Sequence, residues 1–294
     1  MANERPLWTP SAERAASSRM AAFGRWLGER SGRAFDDYDS LHAYSTAEIG
    51  AFWSAIWDYC GIIGEKGAVA ATELDRMPGA RFFPQARLNF AENLLKHSGA
   101  GTAIVFRGED KVERRLSRDE LRALVSRMQQ AMAAMGIGAG DRVAAMLPNM
   151  PEAVAAMLAA SSLGAIWSSC SPDFGERGVL DRFGQIAPKL FIACDGYWYN
   201  GKRIDVADKV GAIVPHLNAE RTVIVPYAGG GSAIADAAPS AVVLDDFLAP
   251  YAPGALTFAR GGFADPLYIL FSSGTTGVPK CIVHSQGGTL IKHL

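Results

Sequence analysis

Residues 270–285 read LFSSGTTGVPKCIVHS. An apolar run (Leu267, Tyr268, Ile269, Leu270, Phe271) leads into nine residues, 272–280, dominated by Ser, Gly, Thr, Pro and Lys, and the β-branched pair Ile282 and Val283 follows. The pattern predicts strand, polar loop, strand. Gly274 and Gly277 permit backbone angles closed to other residues, so successive N–H groups can converge on one point and favour an anion there. Ser272, Ser273, Thr275 and Thr276 add hydroxyl donors, and Lys280 brings the one positive charge, a flexible point partner for phosphate.

Turns between strands favour the same residue types, so the loop taken alone is open to two readings, a plain glycine-rich turn or a polyphosphate grip. A Walker A loop is excluded by spacing: Val278 and Pro279 separate the second glycine from Lys280, and Cys281 rather than Ser or Thr follows it. The whole string SSGTTGVPK resembles the phosphate loop of the adenylate-forming superfamily, which takes in acyl-CoA synthetases, luciferases and the adenylation domains of peptide synthetases. The resemblance implies that residues 272–277 and Lys280 contact the phosphates of ATP, with Mg2+ arriving on the nucleotide.

The rest of the chain sets bounds. Its 294 residues suffice for one large domain or two smaller ones, and 49% hydrophobic with 20% charged residues is a globular balance. A net charge of -1 without basic clusters argues against a nucleic-acid-binding face. The first twenty residues lack the continuous apolar core of a secretory signal, so a cytoplasmic protein is expected. The longest uncharged span, 153–172, carries five serines and a glycine and ends in proline, which predicts a buried helix and a strand rather than a membrane span. Cys60, Cys170, Cys194 and Cys281 form no C-x-x-C pair and the five histidines show no ligand spacing, so neither a disulfide nor a protein-held metal is expected.

From residue 1 to about 100 the sequence reads as helix and loop. Residues 12–30 place Met20, Phe23, Trp26 and Leu27 at helical spacing; residues 45–59 repeat the pattern with Ile49, Phe52, Trp53, Ile56 and Trp57 after a cap at Ser45 or Thr46. Residues 78–97 begin irregularly and then predict a short helix over 88–97. Strands over 102–106 and 111–116 flank Gly108, Glu109 and Asp110, a hairpin signal. Ser117 with Glu120 makes a capping box for a helix whose buried face carries Leu121, Leu124, Val125, Met128, Met132 and Met135. Beyond Asp141, short apolar runs (142–147, 165–168, 190–194, 222–225) alternate with helical patterns (151–163, 175–186, 204–217), which predicts an α/β fold with a mostly parallel sheet and flanking helices. The triple glycine 229–231 and its Ala/Ser/Pro sequel predict an exposed excursion before the strand at Tyr268.

Two further blocks narrow the resemblance. The string with Asn89, Ala91 and Asn93 is similar to the N-terminal cap of acetyl- and acetoacetyl-CoA synthetases, implying a structural cap over 1–100 and an AMP-binding α/β domain over 101–294. GAIWSSCSPDFG (164–175), with Trp167, Asp173 and Phe174, resembles the acetoacetyl-CoA synthetase branch. The segment YNGKR (199–203) falls where relatives carry a basic stretch that contacts the nucleotide end of CoA, implying Lys202 or Arg203 at the CoA 3′-phosphate. Tyr199 stands where relatives can have arginine, and a solvated Asn-Gly turn is an equal reading.

The activity implied is an acid–thiol ligation. Acetoacetate attacks the α-phosphorus of ATP to give an acyl-adenylate and pyrophosphate, and the CoA thiol then displaces AMP. The small molecules acetoacetate, ATP and CoA are the expected partners, with neither nucleic acid nor membrane. The superfamily's adenine, ribose and catalytic-lysine segments are expected after Leu294, so the sequence predicts an incomplete domain, inactive alone. Two alternatives of different kind remain at this stage: another short-chain acyl-CoA synthetase, acetyl or propionyl, and a non-catalytic nucleotide- or partner-binding module on the same fold.

Overall fold

The structure is a computed structural model that describes residues 7–238, 240–272 and 277–294. The chain forms two compact units, one of residues 1–62 and 66–85 with Leu294, the other of residues 63–65 and 86–293.

The first unit is mainly helical. The periodic stretch 12–30 forms two helices, Ala12–Ala16 and Arg19–Ser31, because the Ser18 side chain accepts from the Ala21 N–H and starts a new helix there. The 45–59 pattern also differs from expectation. Asp37 and Ser40 form a capping box that starts a helix at Tyr38, and Glu48, with φ −116 and ψ 51, separates it from Ile49–Tyr59. Neither Ser45 nor Thr46 is a cap; both hydroxyls donate back to the His42 carbonyl. The aromatic stripe is core: Phe23, Leu27 and Leu41 are buried, and Trp26, Phe35, Tyr44, Phe52 and Ile56 pack on them. Met20, placed on the same stripe by its spacing, is 58% exposed.

The second unit is built on a seven-stranded sheet. Its strands in chain order are β1 (Arg142–Met146), β2 (Ile166–Cys170), β3 (Leu190–Cys194), β4 (Arg221–Val225), β5 (Ala241–Val243), β6 (Pro266–Ser272) and β7 (Lys280–Ser285). The spatial order is β5-β4-β3-β1-β2-β6-β7, parallel throughout except for the antiparallel pair β6–β7. β1 and β3 are buried almost end to end, as expected of strands covered on both faces by crossover helices. Those helices include Pro151–Ser162, Glu176–Phe183 and Ala207–Leu217. The region after the triple glycine is more ordered than expected: helix Gly231–Ala237, β5 and helix Leu244–Leu248 extend the sheet.

Two hairpins stand outside the sheet, Thr102–Gly108 with Val112–Ser117, and Gly196–Tyr199 with Lys202–Asp205. The second is closed by the Asn-Gly turn, and the helix expected from 204 begins instead at Ala207. The Ser117–Glu120 capping box opens helix Arg118–Ala134 as predicted.

The N-x-A-x-N string is structural. Asn89, fully buried, caps helix Phe90–Leu94 through the Glu92 N–H and donates to the carbonyls of Ser161 and Ala259, both at 2.8 Å. Asn93 exchanges hydrogen bonds with the Ile63 backbone, accepting from its N–H at 2.8 Å and donating to its carbonyl at 3.0 Å. Ala91 is fully buried between them.

Candidate functional site

In open parallel sheets ligands bind outside the carboxyl ends of the strands, so the groups at the ends of β1, β2, β3 and β6 define the site. The loop singled out in the sequence leaves the carboxyl end of β6 and returns as β7, with Ser272 and Lys280 facing each other across the ladder as its two posts. Ser273, Gly274, Thr275 and Thr276 lie outside the described residues. Gly277 has φ +100, the left-handed region that favours glycine, and a Cβ there would meet nothing within 4 Å, so the glycine serves the turn and not a close packing contact. Lys280 is exposed, and its ammonium pairs with no described residue.

The loop is braced from the side. Gln185, just beyond helix Glu176–Phe183, donates to the Pro279 carbonyl at 2.9 Å and faces the Cys281 Sγ at 3.7 Å. The Phe183 and Phe271 rings pack edge-on at 6.5 Å. Within the sheet, the buried Ser168 hydroxyl donates to the Ile269 carbonyl at 2.8 Å and ties β2 to β6.

Next to it, the 170–175 turn carries Asp173 and Phe174, with the Arg182 guanidinium 4.2 Å from the Phe174 ring centroid and Lys209 donating to the Pro172 carbonyl at 2.7 Å. Burial pushes the Cys170 thiol up to about 12, against the pull of Arg182, and the Cys194 thiol to about 11. Both are protonated at neutral pH and are no nucleophiles. Cys170 and Cys194 are buried, Cys60 is partly buried and Cys281 is exposed.

Lys202 and Arg203 sit on the Gly196–Tyr199/Lys202–Asp205 hairpin, whose turn residues Asn200 and Gly201 have φ 51 and 72, as a two-residue type I′ turn requires. Register separates the two cations. Lys202 pairs directly with Tyr199 and shares its face, whereas Arg203 pairs with Trp198 on the opposite face. Arg203 is engaged with the Gly229 carbonyl and, at 3.4 Å, with Asp205. Lys202 has no partner among the described residues and lies beside a Tyr199 that is 70% exposed. The hairpin and the phosphate loop both follow carboxyl ends of sheet strands, β3 and β6.

Sequence reasoning missed what holds this hairpin, the Glu109 carboxylate, which accepts from the N–H groups of Asn200 and Gly201 at 2.6 and 2.7 Å. Glu109 read as one turn residue among three, and no local signal ties it to a segment ninety residues on.

A cleft of about 340 Å³ lined by Asp141, Arg142, Lys189, His216 and Glu220 lies at the amino ends of β1, β3 and β4, the far end from the loop. Its Lys189 is taken up by the Gly136 carbonyl and Asp141, so it offers no free cation. Among the described residues no cluster of three His, Cys, Asp or Glu side chains could hold a metal, and no helix is long and apolar enough to cross a membrane.

The AMP-binding enzyme family matches residues 90–293. The chain is 65% identical over its whole length to the acetoacetyl-coenzyme A synthetase of Rhizobium meliloti (strain 1021), spanning 45% of that protein. It is 41% identical over 98% of its length to the acetoacetyl-CoA synthetase of Macaca fascicularis, spanning 44% of it. The solved structure of the acetoacetyl-CoA synthetase from Streptomyces lividans superposes with a TM-score of 0.92 at 36% identity, covering 98% of this chain and 44% of that one. The chain thus spans a little under half the length of these relatives.

Proposed function

The chain belongs to the AMP-binding enzyme family, and from that premise we propose that it supplies the ATP-phosphate grip of an ATP-dependent acid–thiol ligase acting on acetoacetate. The reaction is acetoacetate + ATP + CoA to acetoacetyl-CoA + AMP + pyrophosphate through an acyl-adenylate. The observation that carries the reading is the placement of an exposed Lys280, paired with no described residue, at the post of a Gly/Ser/Thr loop on the carboxyl end of the sheet.

The first step transfers charge onto the departing pyrophosphate as a carboxylate oxygen bonds the α-phosphorus and the α–β bridging oxygen leaves. Donors fixed beforehand at that position lower the barrier without reorganising. Ser272 and Lys280 at the base of the loop, with Ser273, Gly274, Thr275, Thr276 and Gly277 along it, are the donors assigned to the β- and γ-phosphates. Mg2+ would ride on the nucleotide; the described residues include no carboxylate set for it, and no step is routed through it. In the second step the CoA sulfur bonds the acyl carbon and AMP leaves with the bonding pair. Lys202 is assigned to the CoA 3′-phosphate in preference to Arg203, which is committed elsewhere. The resemblance of 164–175 and the identity of the relatives support acetoacetate over acetate or propionate.

The test is carboxylate-dependent ATP–pyrophosphate exchange by a protein of the relatives' full length carrying this chain, with acetoacetate, acetate, propionate and butyrate compared. Preference for acetoacetate is expected. Preference for acetate or propionate would move the protein to another short-chain synthetase, and absence of exchange with all four would leave a non-catalytic binding module.

A further inference from the structure

We propose that Glu109 is a positioning residue for CoA: its carboxylate holds the 196–205 hairpin so that Lys202 meets the 3′-phosphate. The inference rests on the reading of Lys202 given above.

A two-stranded hairpin is marginally stable by itself, and this one pairs with no other strand among the described residues. Its tip is therefore placed by whatever grips it from outside. Glu109 does so with both carboxylate oxygens, one on the Asn200 N–H at 2.6 Å and one on the Gly201 N–H at 2.7 Å. Charge-assisted bonds of this kind are the stronger class. They fall on the turn immediately before Lys202, so they set the direction in which that side chain leaves.

The backbone of Glu109 points the same way. It has φ 52, an uncommon conformation for a residue with a long side chain, where glycine or asparagine would sit with less strain. Glu109 is exposed, so burial does not account for it. What the glutamate adds over glycine is the two-oxygen grip.

The platform beneath is firm. Gly108 leaves no room for a Cβ against the Tyr227 ring, and Phe106 packs on Tyr227 at 5.8 Å. Asp195, fully buried, accepts from the N–H groups of Tyr227 and Ala228 at 2.7 and 2.8 Å. The Gly229 carbonyl, two residues past Tyr227, takes Arg203 from the second hairpin. Arg203 thus anchors one face of the hairpin and Glu109 its tip, leaving the Tyr199–Lys202 face open.

The decisive variant is Glu109→Gly, which relieves the positive φ and removes only the grip; Glu109→Gln, which keeps one acceptor oxygen, is its graded companion. In a protein of the relatives' full length carrying this chain, KM is measured for CoA and for dephospho-CoA, which lacks the 3′-phosphate, alongside acetoacetate-dependent ATP–pyrophosphate exchange. Glu109→Gly is expected to raise KM for CoA about tenfold, with thermal stability, exchange and KM for dephospho-CoA unchanged. Glu109→Gln falls between, and Glu109→Gly combined with Lys202→Ala is no worse than Lys202→Ala alone. Equal effects on CoA and dephospho-CoA, or no effect beside an effective Lys202→Ala, would overturn the positioning role. A Lys202→Ala variant that keeps the wild-type preference for CoA over dephospho-CoA would instead remove the Lys202 reading, and this inference with it.

Discussion

Replacing Lys280 with alanine isolates the charge of the phosphate loop. The Lys280 backbone sits in the β6–β7 ladder opposite Ser272 while its side chain is exposed and pairs with no described residue. The substitution therefore removes a cation without orphaning a partner among the described residues, and stability should move by no more than about 0.5 kcal/mol. The catalytic effect follows from Coulomb's law. One charge about 4 Å from a phosphate oxygen at an effective dielectric near 20 is worth about 4 kcal/mol. Solvent on the open side of the strand and the entropy of fixing a lysine reduce that to about 2 kcal/mol, roughly thirtyfold in rate. The loss should fall on adenylation, read as acetoacetate-dependent ATP–pyrophosphate exchange. Transfer of a preformed acetoacetyl-adenylate to CoA, which releases no pyrophosphate, should change by less than about threefold. Equal losses in the two half-reactions, or a fall in melting temperature large enough to explain both, would refute a phosphate-gripping lysine.

Asn89→Ala removes a fully buried side chain that caps one helix and satisfies the carbonyls of Ser161 and Ala259; a loss of about 3 kcal/mol, read as a lower urea midpoint, is expected from the lost cap and the orphaned carbonyls. With a thiol reagent at pH 8, exposed Cys281 should react first and buried Cys170 and Cys194 only on unfolding, which peptide mapping by mass spectrometry checks. Burial raises both buried thiols above their ordinary value of 9.0, to about 12 and about 11. The unfolded state therefore loses those protons first, and their contribution to stability, complete below pH 9, should fall as pH rises from 9 towards 12, visible as a declining urea midpoint.

How much was legible in advance varied with the range of the signal. The parallel sheet, the crossover helices, the 102–117 hairpin and the Ser117 cap were readable because period, turn residues and capping boxes act within a few residues. Helix Tyr38–Ala47 was not, since Leu41 is its one buried residue and the apolar stripe of 49–57 belongs to the next helix; the Asp37–Ser40 box fixes where it begins. The stretch after residue 229 read as loop because Gly and Ala carry little periodic signal, yet β5 is drawn into regular structure by the β4 edge.

The site divides along the same line. By itself the sequence determined the chemistry available, a loop of glycines and hydroxyls ending in one lysine, and the turn signal of Asn200-Gly201, because both depend on residue types at short spacing. Only the tertiary structure decided that Lys202 and Arg203 face opposite ways, that Arg203 is spent on Gly229 and Asp205, and that Glu109 holds the turn. The physical reason is that side-chain direction follows from strand register, and a carboxylate finds two N–H groups ninety residues away only after the β3 and β4 ends have been brought beside the first hairpin.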